Sequence, residues 1–108
     1  GQQLISEAVF RVLTPAAPDS IKAMIARGDA MQPTISDGDL IWVDVSIKTP
    51  TSDGLYLFAL KGEVFVKRLQ LDNFTIISDN PLYPPIGISK PDKLSTLGKV
   101  ISVTKIYR

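Results

Sequence analysis

Apolar residues fall along this chain in short runs cut by turn chemistry. Leu40-Ile41-Trp42-Val43, Leu55-Tyr56-Leu57-Phe58-Ala59-Leu60, Val64-Phe65-Val66 and Phe74-Thr75-Ile76-Ile77 are rich in β-branched and aromatic residues. Gly, Pro, Asn or Asp lie close to each run, which reads as a strand between turns. Asp53-Gly54, Lys61-Gly62-Glu63 and Asp72-Asn73 are the turn signals. The second of them predicts a hairpin joining 55–60 to 64–69.

Residues 21–27 alternate, with Ile21, Ala23 and Ile25 expected on one face. The last segment, Leu97 to Tyr107, alternates as a long strand. Leu40 to Val45 is apolar enough to be buried on both faces. Residues 4–13 fit a strand better than a helix, because Val9, Phe10 and Ile5 are β-formers and Pro15 follows. Met31 to Ile35 reads as one helical turn, with Pro33 suited to its start. Asp79 to Ser95, with Pro81, Pro84, Pro85 and Pro91, reads as loop. The pattern therefore predicts a mainly β domain with at most one short helix.

Composition narrows the chemistry. The chain has 108 residues, no cysteine, no histidine and a formal net charge of +1. That length suits one domain. Without cysteine there is no disulfide framework and no thiolate metal site, and without histidine the Ser-His-Asp and Cys-His arrangements are excluded. No cofactor or metal is expected. A charge near zero makes no electrostatic case for nucleic acid or an anionic membrane. No apolar run approaches a membrane span, so the expectation is a cytoplasmic, membrane-free protein. Acid–base work near neutral pH requires a shifted Lys, Asp, Glu or Tyr.

Two stretches stand out as candidate chemistry. The first is Gly28-Asp29-Ala30-Met31-Gln32-Pro33-Thr34, followed by Ser36-Asp37-Gly38-Asp39. Here Gly28 and Gly38 can supply positive φ and the aspartates can bond backbone N–H groups. An irregular segment held between two strands is where reactive groups are commonly mounted. Asp37 and Asp39 read as turn formers, not as an acid pair. The second stretch is Val64-Phe65-Val66-Lys67-Arg68-Leu69. Lys67 shares a strand face with Phe65 and Leu69. Burial disfavours its charged form, and a pKa brought from ~10.4 to about 7 would make it a general base. In the alternative reading Lys67 reaches solvent, and Arg68 turns inward or is exposed with it.

Gly28-Asp29-x-Met31-x-Pro33-Thr34-Ile35-x-Asp37-Gly38-Asp39-Leu40 resembles the nucleophile motif of the self-cleaving repressors, the LexA and phage CI-type family, to which UmuD-like proteins and signal peptidases are related. Val66-Lys67-Arg68-Leu69 is similar to that family's setting for its catalytic lysine. Ser78-x-Asn80-x-x-Tyr83-Pro84 and Gly98-x-Val100 resemble later family stretches. The likeness covers about residues 20–107. It implies a LexA-like fold of several short curved sheets, with residues 20–108 as a C-terminal dimerisation and self-cleavage domain and residues 1–19 as an arm or the end of an interdomain linker.

The resemblance also implies site roles. Position 30 is the family's serine nucleophile, here Ala30, and Lys67 is the general base. The backbone N–H groups of Asp29 and Ala30 belong to the oxyanion hole, and Met31 lines the cleft or joins the core. An alanine at position 30 leaves the chain unable to form an acyl-enzyme. Either a serine was replaced to block self-cleavage, or this branch lost catalysis.

Implied partners are a second copy of the chain, DNA through an N-terminal helix-turn-helix domain, and an inducer, either an activated RecA filament or a phage antirepressor. The implied role is repression controlling lysogeny or an SOS-type response. UmuD-like self-processing and a signal-peptidase-like protease are the alternatives. The family cuts a small-residue–Gly bond, and the internal glycines here follow Arg27, Asp37, Asp53, Lys61, Ile86 and Leu97.

Overall fold

In a computed structural model of the chain, residues 18–88 and 94–107 are described. A 3-10 turn, Pro18–Ser20, leads into β1 (Ile21–Ile25). Then come β2 (Leu40–Asp44), β3 (Gly54–Leu60), β4 (Glu63–Gln70), β5 (Thr75–Ile77), β6 (Ile86–Gly87) and β7 (Ser95–Thr104). The expected arm, including the strand read at 4–13, lies almost wholly outside the described residues.

All seven strands join one sheet in the order β1-β2-β7-β3-β4-β5-β6. Every pairing is antiparallel. The mainly β expectation stands, and the several short sheets are continuous in hydrogen bonding. Register shifts at Trp42/Val43 and Leu57/Phe58 interrupt the two ladders of β7, and such bulges bend a sheet.

β3 explains why the core has two parts. Successive side chains point to opposite faces. Leu57 packs with Met31, Ile35, Ile41, Val43 and Val100. Its neighbours Tyr56 and Phe58 pack on the other face with Leu69 and Ile76. Both faces of β3 are covered, so its run is apolar without a polar alternation. Gly98 lets β7 lie close to β2: a Cβ there would meet Val43 Cγ1 at 2.5 Å and the Asp44 carbonyl oxygen at 2.8 Å.

Four local expectations change. In β1 it is Met24, not Ala23 or Ile25, that packs on the core, and Ile25 is 51% exposed. Residues 79–95 are not all loop, since β6 pairs there with β5 and β7 begins at Ser95. β7 stops at Thr104 because the next residues leave the ladder for Asp39: Lys105 Nζ donates to its carboxylate at 2.7 Å, and so does the Ile106 N–H at 3.3 Å. Residues 30–34 form a turn, closed by the Ile35 N–H donating to the Met31 carbonyl at 2.9 Å, with Gln32-Pro33 cis.

Candidate functional site

The turn that follows β1 is held by its own polar residues. The Ala26 N–H donates to the Asp39 carbonyl and the Gly38 N–H to the Ala26 carbonyl, both at 2.8 Å. Gly28 and Gly38 take φ values of 86° and 89°, conformations that a side chain would strain. Asp37 accepts from the Gly28 N–H at 2.7 Å, and Asp39 from the Ser36 N–H at 2.8 Å. Both aspartates are thus turn formers, as read. Asp39 is more than that. It is buried and ion-paired to Lys105, which also donates to the Thr34 carbonyl at 2.7 Å. The Lys105 ammonium first, then the Ser36 N–H, hold its carboxyl down to about 2.

The turn faces β4 across a cleft of about 210 Å³. Ala30, Met31 and Lys67 all line it, with Met24 to Gly28 along one wall and Val64 to Val66 along the other. The two anchors found 37 positions apart in sequence are brought together. Met31 satisfies both of its readings, being buried in the core and lining the cleft. Asp29 lies at the rim, where its carboxylate accepts from the Tyr83 hydroxyl. Among the described residues, none accepts a hydrogen bond from the N–H of Asp29 or Ala30.

Lys67 turns inward, and the alternative with Arg68 inward does not hold. Lys67 Nζ donates to Ser78 Oγ at 2.7 Å, and Ser78 is itself buried. The Tyr83 ring lies 5.6 Å from the amine. Burial pushes the Lys67 pKa below its usual value, because a desolvated ammonium is disfavoured. Arg68 points the other way and grips Asp79 with Nε and Nη2, both at 2.8 Å. Asp79 also accepts from the Thr34 hydroxyl. Arg68 first, and Thr34 after it, keep the Asp79 carboxyl below its ordinary range.

Ser78 and Asp79 are the residues that sequence reasoning did not assign. They stood in the matched Ser-x-Asn-x-x-Tyr-Pro stretch, but a hydroxyl eleven positions beyond a lysine carries no signal by itself. Pairing of Arg68 with Ile77 between β4 and β5 is what carries Ser78 back to Lys67.

Two free strand edges meet at this cleft. Of β4, only Arg68 to Gln70 pair with β5, and among the described residues β1 pairs only with β2. The outer edges of β1 and of residues 63–67 therefore have no strand partner among the described residues. Unpaired edges of this kind accept an extended segment by main-chain hydrogen bonding.

Known proteins with similar sequences point to a family. The family model described as Peptidase S24-like matches residues 2–101. A 26 kDa repressor protein of Escherichia phage HK022 is 40% identical over 96 residues, covering 84% of this chain and 41% of the relative. An HTH-type transcriptional regulator of Haemophilus influenzae is 34% identical over 108 residues, covering 95% of this chain and 45% of the relative. The chain spans less than half the length of these curated relatives. With its cleft, its lysine and a family match across most of its length, the chain belongs to the Peptidase S24-like family.

Proposed function

We propose that the chain is the C-terminal dimerisation and self-cleavage domain of a phage or bacterial transcriptional repressor, with cleavage disabled by Ala30. The observation that carries the reading is the shared cleft of Ala30 and a half-buried Lys67, in a family whose matched relatives include a repressor and a transcriptional regulator. The DNA-binding part, by this reading, lies in sequence outside the chain, and the protein works in the cytoplasm. Among the described residues no helix is long and apolar enough to cross a membrane.

With serine at position 30 the chemistry runs as follows. The substrate is an extended segment of the same protein, laid between the free edges of β1 and β4. Neutral Lys67 Nζ takes the serine hydroxyl proton, and Oγ attacks the scissile carbonyl. The oxyanion is met by backbone N–H at the turn, where those of Asp29 and Ala30 have no acceptor among the described residues. The Lys67 ammonium returns the proton to the leaving amine, and water then releases the acyl group. Alanine breaks the scheme at its first step, since a methyl has neither a lone pair nor an acidic proton.

Dimerisation is the second half of the proposal. β3 pairs with β7 only as far as Lys99, so the edge of Val100 to Thr104 that faces away from β2 has no strand partner among the described residues and is open to a second copy. The chain after β7 continues that surface, with Ile106 47% and Tyr107 99% exposed. Sedimentation should find a dimer at micromolar concentration that Tyr107→Asp weakens; a monomer well above micromolar contradicts it.

Ala30→Ser in a chain carrying its upstream segment tests the catalytic half on a gel, with and without inducer. Cleavage is expected, and Lys67→Ala or Lys67→Arg in that background should abolish it, since a guanidinium stays protonated. An intact chain under every condition would leave a non-cleaving dimerisation module.

A further inference from the structure

The segment from Ser78 to Tyr83 touches both walls of the site, and Asn80 touches the turn twice. The Asn80 backbone N–H donates to the Ala30 carbonyl at 3.0 Å. Its side-chain Nδ2 donates to the Asp29 carbonyl, also at 3.0 Å. The other end of the same amide, Oδ1, accepts from the Leu82 N–H at 3.0 Å. Only one orientation of the amide gives the carbonyl a donor and the N–H an acceptor.

These contacts act on planes, not only on atoms. A trans peptide is planar, with its C=O and the following N–H pointing in opposite directions. The Asp29 carbonyl and the Ala30 N–H share one plane. The Ala30 carbonyl and the Met31 N–H share the next. The two planes that flank residue 30 are therefore both held from residue 80. Holding both fixes the Cα–Cβ direction of residue 30 and turns its N–H away from the 78–83 segment.

We infer that Asn80 is a positioning residue for the peptidase site, setting the aim of the residue 30 side chain and of the residue 30 N–H together. The inference rests on the peptidase reading above. It gives a role to the Asn of the Ser78-x-Asn80-x-x-Tyr83 stretch, which the proton-transfer scheme does not use. Ser78 serves the lysine wall and Asn80 the nucleophile wall, so one short segment keeps the two halves in register.

Asn80→Asp is the discriminating substitution. It keeps the oxygen that accepts from the Leu82 N–H, so the segment keeps its own turn. It replaces the Nδ2 that donates to the Asp29 carbonyl by an oxygen. In Ala30→Ser protein carrying its upstream segment, the self-cleavage rate at the alkaline plateau should fall on the order of 10–100-fold, the scale of a misplaced reacting group. The midpoint of the pH profile should move only slightly upward, through the added carboxylate. Loss of the lysine's function would instead move the midpoint or abolish the plateau.

A parallel readout needs no cleavage. In the chain with Ala30, the Asp29 carbonyl ¹³C resonance should move upfield in Asn80→Asp, as for a carbonyl losing a donor, while the Leu82 amide stays in place. A plateau within twofold of the parent, or an unmoved Asp29 carbonyl, overturns the inference. If the Ala30→Ser parent never cleaves, the peptidase reading falls and takes the catalytic role with it. The carbonyl shift still decides whether Asn80 holds that plane.

Discussion

Lys67 is half-buried beside a buried hydroxyl and faces the cleft. Burial favours the neutral amine, and Ser78 fixes where that amine sits. Titration of the Lys67 side chain by NMR should give a pKa below the ordinary ~10.4, and a value at or above it contradicts the burial argument. Ser78→Ala removes the hydroxyl that the amine donates to at 2.7 Å. In Ala30→Ser protein it should slow cleavage about tenfold, the worth of one hydrogen bond of roughly 1.4 kcal/mol. Arg68→Ala strips Asp79 of its bidentate partner and loosens Thr34. With Arg68 41% exposed, solvent screening keeps the stability cost to roughly 1 kcal/mol, which a melting curve can resolve. The inward facing of Lys67 was one of two readings that the strand pattern left open, and the family resemblance favoured it. Ser78 was not legible, because nothing local ties residue 78 to residue 67.

At the scale of elements, the turn after β1 is stapled to the residues after β7. Asp39 carries that staple, and its folded pKa of about 2 lies below the ordinary value of 3.8. A carboxyl with a depressed folded pKa contributes stability above its unfolded pKa and loses it as pH falls through the folded one. The melting temperature should therefore fall between about pH 4 and pH 2, the interval bounded by those two values. Asp39→Asn should be less stable at pH 7 and should flatten that fall; an unchanged acid limb contradicts the assignment. Gly98→Ala tests the close crossing of β7 over β2. Its Cβ meets backbone as well as Val43, so a destabilisation of about 1–3 kcal/mol is expected from denaturant midpoints. Strand positions were legible here because apolar runs and turn residues are local signals. The facing of β1 was not. Its alternation favoured Ile21, Ala23 and Ile25, but the free edge at the cleft leaves Ile25 exposed and brings Met24 onto the core.

At the scale of the molecule, strand order decides what can be a surface. β7 inserts between β2 and β3 through pairings far apart in sequence, and no local pattern encodes such an order. The mainly β class was legible from composition and turns, while the interior place of the last strand was not. The same order leaves β1 and half of β4 open at the cleft, so these free edges and the candidate reactive groups coincide. The central claim is that this cleft is a serine–lysine site lacking only its hydroxyl. The most direct measurement is the first-order self-cleavage rate of Ala30→Ser protein, upstream segment included, across pH. The account predicts a rate that climbs with pH and levels off once Lys67 is neutral, with its midpoint below ~10.4. A chain that stays intact at alkaline pH, or one that cleaves at a rate independent of pH, would contradict it.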